Sequence, residues 1–240
     1  MYSGLSRFQR FDRNTRGRDF AAGDLHGCFD ELETRLRQLD FDPTRDRLFC
    51  AGDMVNKGSD SQKVLDWLAR PWCHAVRGNH EQIVIDACTT GVDQAWYMAR
   101  GGSWFYDLQE AERSRYAEAF LRLPVAIEID TALGLVGIVH SEVFGSWSTY
   151  IEDLVNDTWP ITQLQLGGRK RFKKQDCSLV EGLEMLIVGH SLVDAVTELG
   201  NTFYIDTGCY KTGTLTALPI EAIRASVRHS YNRSTVASTG

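Results

Sequence analysis

Long apolar runs are missing from this 240-residue chain. None approaches the ~20 residues that span a bilayer, which argues against a membrane protein. Cys-x-x-Cys pairs are also missing: the cysteines at 28, 50, 73, 88, 177 and 209 are scattered. That spacing excludes a thiolate zinc ribbon and reads as reduced thiols in a cytoplasmic protein, several of them small core residues. There is no excess of basic charge, since the formal net charge is −6, so a nucleic-acid partner is not expected. The N-terminal stretch has five arginines between Arg7 and Arg18 but no continuous hydrophobic segment, which argues against a secretory signal. Asp12 and Asp19 argue against an organellar presequence. Internal repeats, low-complexity tracts and linkers are absent as well. The expectation is one domain over residues 1–220 and a tail over 221–240, its last part polar and disordered. With 43% hydrophobic and 24% charged residues, the composition is that of a globular protein with a real core.

What the chain does have is four short segments that pair hard-ligand side chains with glycine. They are Gly23-Asp24-Leu25-His26-Gly27, Gly52-Asp53, Arg77-Gly78-Asn79-His80-Glu81 and Gly189-His190. Each follows a short apolar run. Asp19–Ala22, Leu48–Ala51 and Cys73–Val76 read as strands, and Phe29–Leu39, Ser61–Leu68 and Glu81–Ala87 read as the helices after them. Three times a buried strand ends in a polar loop that opens a helix. In open α/β sheets ligands bind beyond the carboxyl ends of strands, so these loops should converge.

Further on, Asp93–Leu123 reads as helical with a break at Gly101-Gly102, and the aromatics from Trp96 to Tyr106 read as core rather than a binding platform. Strands are expected at Val125–Ile129, Leu135–Val139, Met185–Val188, Val196–Leu199, Phe203–Ile205 and Leu215–Leu218. Val143–Cys177 has no clear period and reads as a surface insertion near the site. Its basic run from Arg169 to Lys174 is either a solvated face or a contact for an anionic substrate.

Asp24 and His26 are two apart and can face one ion, while a carboxylate such as Asp53 has two oxygens, enough to bridge two. Asn79 adds a carbonyl oxygen, and His140 and His190 each end an apolar run. Mixed N/O ligation without thiolate suits Mn²⁺, Fe or Zn²⁺. Two ions so held activate water and clamp a phosphoryl group, so the four segments point to a metallophosphoesterase. His74 and His229 are not expected to serve: His74 lies in a strand, and His229 near the tail.

The segments at 23–27, 52–58, 77–81, 139–142 and 188–191, with Gly101–Phe105 and Tyr204–Gly208, resemble the signature of the PPP family of metal-dependent serine/threonine phosphatases, in its small bacterial and phage branch. The likeness runs in order from about residue 8 to 218. It implies a calcineurin-like α/β fold, two mixed β-sheets in a sandwich flanked by helices. It implies two divalent ions, Mn²⁺ first with Fe, Zn²⁺ or Ni²⁺ as alternatives. Asp24 and His26 would bind the first, Asp53 would bridge, and Asn79, His140 and His190 would bind the second. His80 would be the general acid, Arg77 would grip phosphoryl oxygens, and Arg169 or its competitor Arg171 would be the second guanidinium. The implied reaction is hydrolysis of phosphoserine and phosphothreonine in proteins or peptides, by direct attack of hydroxide held at the ion pair.

The chain departs from the family at Asn56-Lys57, where Asp-Arg is usual. Asn56 is expected to accept a hydrogen bond from the His80 imidazole and to lower its pKa for want of charge, and Lys57 to contact phosphate without the planar fork of arginine. A slowed enzyme follows, or one retuned to better leaving groups. Two alternatives stay open. One is hydrolysis of bis(nucleosyl) tetraphosphates, whose enzymes usually carry Gln where His26 stands; the other is a weakened, phosphoprotein-binding regulator. Oligomeric state is not legible.

Overall fold

A computed structural model describes residues 7–158, 161 and 166–227. Two sheets face each other. The smaller has the order β10-β2-β3-β4, with β2 (Asp19–Ala22), β3 (Arg47–Cys50) and β4 (Cys73–Ala75) parallel and β10 (Ala217–Pro219) antiparallel at its edge. The larger has the order β1-β5-β6-β7-β9-β8, running from β1 (Phe8–Phe11) through β5 (Ala126–Thr131), β6 (Gly134–Val139), β7 (Met185–Val188) and β9 (Thr202–Tyr204) to β8 (Thr197–Leu199). Parallel and antiparallel pairs mix in both sheets.

Period-two alternation builds the layers. Ala21, Phe49, Ala51 and Val76 meet Ile127, Ile138, Ile187 and Phe203 between the sheets. Their neighbours Phe20, Leu48 and Cys50 face outward under the helices α1 (Phe29–Gln38), α2 (Val64–Leu68) and α3 (Asn79–Thr89). On the opposite outer face, Leu186, Val188 and Tyr204 are covered by Trp147, Leu154 and Leu166. The sandwich expected from the resemblance is therefore present. Fully burying a side chain such as Phe49 stabilises the fold by about 1.5–3 kcal/mol.

Three elements differ from the sequence reading. β1 was not anticipated; it is a parallel edge strand whose partner β5 is more than a hundred residues away. The 143–177 segment is not a plain insertion: Trp147–Val155 is a helix that seals the large sheet. The break expected at Gly101-Gly102 is present: the helical stretch over 94–106 is interrupted at Met98–Gly102, where Gly101 takes φ +83°. Past the expected boundary at 220, a short helix Ile220–Ile223 buries both isoleucines between the sheets. The rest of the tail from 228, His229 included, lies outside the described residues. No helix among the described residues is long and apolar enough to cross a membrane.

Candidate metal centre

The parallel strands β2, β3, β4, β6, β7 and β9 deliver Asp24, Asp53, Asn79, His140, His190 and Asp206 from their carboxyl ends. The backbone there is held in an uncommon region. Among the described residues eight non-glycines have positive φ, and five of them lie in these loops: His26, Asp53, Asn56, Lys57 and His190. Such strain collects where side chains must be aimed. Glycine is required where backbone meets carboxylate, since a Cβ on Gly189 would collide with the Asp24 carboxylate and one on Gly78 with that of Asp53.

Asp53 is the hub. One carboxylate oxygen lies 3.3 Å from His140 Nε2, and the other lies 3.6 Å from His26 Nε2 and 3.9 Å from His80 Nε2. It belongs to two donor triads, one with His26 and His80, the other with His140 and His190. Asn79 Oδ1 is 3.1 Å from His140 Nε2, and Asp24 lies 3.9 Å from His26 Nε2 while accepting the His190 backbone N–H at 3.0 Å. All of these but Asn79 are buried.

Hydrogen bonds fix how the imidazoles point. His26 Nδ1–H donates to the Val55 carbonyl at 2.9 Å and His140 Nδ1–H to that of Ala51 at 2.8 Å. His190 hydrogen-bonds to the Gly167 backbone, and its buried Nε2 has no hydrogen-bond partner among the described residues. In His26 and His140 this turns Nε2 toward the Asp53 carboxylate, the usual orientation of metal-binding histidine. An orphaned imidazole nitrogen beside buried carboxylates fits divalent cations bound through N and O.

The electrostatics agree. Burial and then the nearby Asp206 push Asp24 well above the usual carboxylate range, and Asp206 is raised by burial. Burial works against an ionised Asp53, but His140 and His80 hold it well below the ordinary value. Burial likewise opposes a charged His140, yet Asp53 lifts it to about 10. Burial depresses His26, takes His80 to about 4 and His190 to about 3. Neutral imidazoles and crowded carboxylates are what a cation would stabilise. Glu81, buried and raised to about 7 by burial and then Asp53, accepts the backbone N–H groups of Asp53, Met54 and Gly78 at 2.8–2.9 Å and so pins the Asp53 loop.

A 310 Å³ cavity opens over this cluster, walled by Lys57, Arg100, Arg169, Trp96, Leu192 and Tyr210. Lys57 Nζ sits 2.8 Å from His26 Nε2 and 4.7 Å above the Tyr210 ring. Arg169 donates to the His190 carbonyl at 2.9 Å. Arg171, the competing guanidinium, is fully buried and bonds the carbonyls of Val143 and Ser178, away from the cavity.

Two sequence expectations need correction. Arg77 does not reach the site. Its guanidinium donates to the carbonyls of Phe120, Leu121 and Leu123 and to Gln82, satisfying the end of the helix Glu110–Leu121. Asn56 does not accept from His80. Its Oδ1 is 2.7 Å from Trp104 Nε1, which can only donate, and 3.1 Å from Tyr97 OH. The amide Nδ2 therefore faces His80 Nδ1 at 2.8 Å and donates to it. Neutral His80 carries its proton on Nε2, toward the cavity. The expected fall in its pKa is present, with burial as the first cause.

Trp104 and Tyr97 are core residues, as expected, that also hold Asn56. His74 packs between Phe11 and Phe49, outside the site. Asp206, Glu81, Arg100 and Tyr210 were given no role from sequence. Asp206 and Glu81 stood inside the quoted motifs, which is the one signal that could have found them.

A calcineurin-like phosphoesterase profile matches residues 20–196 of the chain, which is most of its length. The chain belongs to the calcineurin-like phosphoesterase family. Members of this family of metallophosphoesterases use a dinuclear divalent metal site, and the chain presents a His/Asp cluster of that kind. Serine/threonine-protein phosphatase 2 of Escherichia coli K12 is 31% identical over 90% of this chain and 99% of its own. Serine/threonine-protein phosphatase 1 of Salmonella typhimurium is 33% identical over 89% and 97%. A symmetrical bis(5'-nucleosyl)-tetraphosphatase of Serratia proteamaculans is 32% identical, but over only 53% of this phosphoesterase and 44% of its own length. Among solved structures, a putative diadenosine tetraphosphatase shares the fold at TM-score 0.58 with 20% identity, covering 90% of this chain and 98% of the other.

Proposed function

We propose that this phosphoesterase is a serine/threonine protein phosphatase that hydrolyses phosphomonoesters in proteins or peptides with two divalent ions, Mn²⁺ first among them. The observation that carries the reading is Asp53 at the centre of two donor triads, beside an imidazole nitrogen that has no partner among the described residues. The near full-length match to bacterial enzymes named for that activity supports the substrate class.

In this reading Asp24, His26 and Asp53 would hold one ion, and Asp53, Asn79, His140 and His190 the other. The ions, when bound, activate water and neutralise phosphoryl charge. Arg169 and Lys57 orient the phosphoryl oxygens from the cavity wall, with Arg169 supplying the planar fork. His80 presents Nε2–H to the leaving oxygen. Because Asn56 donates into Nδ1, protonating His80 there would set two N–H groups against each other. Flipping the amide would set its NH₂ against Trp104 Nε1–H. His80 thus assists as a neutral hydrogen-bond donor, and aryl or otherwise acidic leaving groups depart more readily than serine.

Release of phosphate from phosphoserine and phosphothreonine peptides with and without Mn²⁺ tests the proposal. Metal-stimulated turnover supports it. Turnover of diadenosine tetraphosphate alone would favour the tetraphosphatase reading, and binding of phosphopeptide with no turnover the regulator.

A further inference from the structure

Close in sequence to the loops of the Asp53 cluster lies a second group of donors with different chemistry. Cys28 precedes the first residue of α1 and is buried, as is Cys209, the first residue of a short helix 209–212. Glu31, one turn along α1 from Cys28, brings its carboxylate back over the pair. The two sulfurs and a Glu31 oxygen all lie within 4.8 Å of one another.

We propose that Cys28, Cys209 and Glu31 bind one thiophilic divalent cation of the zinc class. Two sulfurs at ~2.3 Å from a tetrahedral zinc stand roughly 3.8 Å apart, with the carboxylate oxygen at ~2.0–2.2 Å. The observed spread of donors needs only side-chain adjustment to reach that geometry. Glu31 also lines a 610 Å³ groove between α1 and residues 213–218, so its carboxylate is reachable from solvent. The Asp53 cluster contains no sulfur, so the two sites prefer different metals: thiolates select zinc-like ions, while carboxylate and imidazole also accept manganese.

The ion would join two loops of the active centre. Cys28 stands two residues after His26. Cys209 stands three after Asp206 and just before Tyr210, whose ring packs edge-on against His26 at 5.0 Å. A cation there would pin the Tyr210 wall of the cavity to the loop bearing Asp24 and His26. Binding replaces two thiol protons, so it releases two protons into solution.

The test is titration of Co²⁺ into the full-length, metal-stripped protein, reduced with a phosphine so that no added thiol competes. The expected result is a thiolate-to-cobalt charge-transfer band that saturates at one equivalent, survives excess Mn²⁺ and is abolished by Zn²⁺. C28S and C209S should each lose the band while keeping Mn²⁺-stimulated turnover of p-nitrophenyl phosphate. No band in the wild-type protein overturns the proposal, and so does a band that persists in both variants. Closure of the pair to a disulfide by a peroxide, in reduced protein that shows no band, overturns it in favour of a redox pair. The wild-type reading needs no variant to fold. Asp53→Asn leaves the band intact if the two sites are separate, so failure of the phosphatase reading stays distinguishable.

Discussion

Replacing Asn56 with Asp reverses one buried hydrogen bond and should change the chemistry at the leaving group. Trp104 and Tyr97 keep one oxygen of residue 56 as acceptor, as they do for the amide. The second oxygen then faces His80 Nδ1, across what is now a 2.8 Å contact, so the imidazole must donate and imidazolium is favoured. An adjacent opposite charge moves a pKa by about 1–3 units, and each unit is ~1.4 kcal/mol. From about 4, His80 would rise to ~6 for a two-unit shift, and its protonated fraction at pH 7 would grow roughly a hundredfold. General acid catalysis contributes ~10²–10⁴ in rate, so kcat on a phosphoserine peptide should increase about 10–100-fold. Turnover of p-nitrophenyl phosphate, whose leaving group needs no proton, should change less than about threefold by the same argument. Steady-state kinetics on both substrates across pH 5–9 is the assay. Equal changes for the two substrates, or no gain on the peptide, would refute the orientation argued for Asn56.

The remaining predictions separate aim from support. Arg77→Ala leaves the carbonyls of Phe120, Leu121 and Leu123 without their donor and should cost about 3 kcal/mol, read as a Tm lower by ~6–12 °C, while KM for p-nitrophenyl phosphate stays unchanged. Arg169→Ala should do the opposite, lowering kcat/KM ~10–100-fold with Tm within about 2 °C. Glu81→Gln turns an NH₂ group toward one of the backbone N–H groups the carboxylate accepts, and should weaken Mn²⁺ binding ~10–100-fold by calorimetry. Mn²⁺ affinity should also depend on pH. His140 keeps a second proton up to about 10 in the metal-free protein, so binding must displace it. Affinity then rises toward tenfold per pH unit between 6 and 9, and calorimetry in buffers of different ionisation enthalpy should show proton release. A flat profile would contradict that placement of charge.

The candidate ligands were legible because each follows a short apolar run and five of the six adjoin a glycine, and such local patterns survive in a linear reading. Two oxygens made Asp53 a possible shared donor, and the bridging role itself came from the resemblance. What failed depended on contacts distant in the chain. Whether Arg77 faces phosphate or a helix end is decided by carbonyls 43 and more residues away, and nothing in Arg-Gly-Asn-His announces it. The sense of the Asn56–His80 bond is set by Trp104, 48 positions on, because indole cannot accept. Arg169 and Arg171 are indistinguishable as letters. One reaches the cavity and the other is buried only because the helix Lys170–Lys173 begins between them. β1 was missed for a similar reason, since four residues gain their meaning from a parallel partner across the chain. Asp206 and Glu81 were visible in motifs but unreadable as to role, because a carboxylate that accepts backbone N–H groups and one that meets a cation look alike in sequence.

The most direct measurement is anomalous diffraction from crystals of the wild-type protein grown with Mn²⁺. Two peaks about 3.5–4 Å apart are expected, with Asp53 contacting both and His190 Nε2 contacting one. A single peak, or a pair that Asp53 does not bridge, would contradict the account.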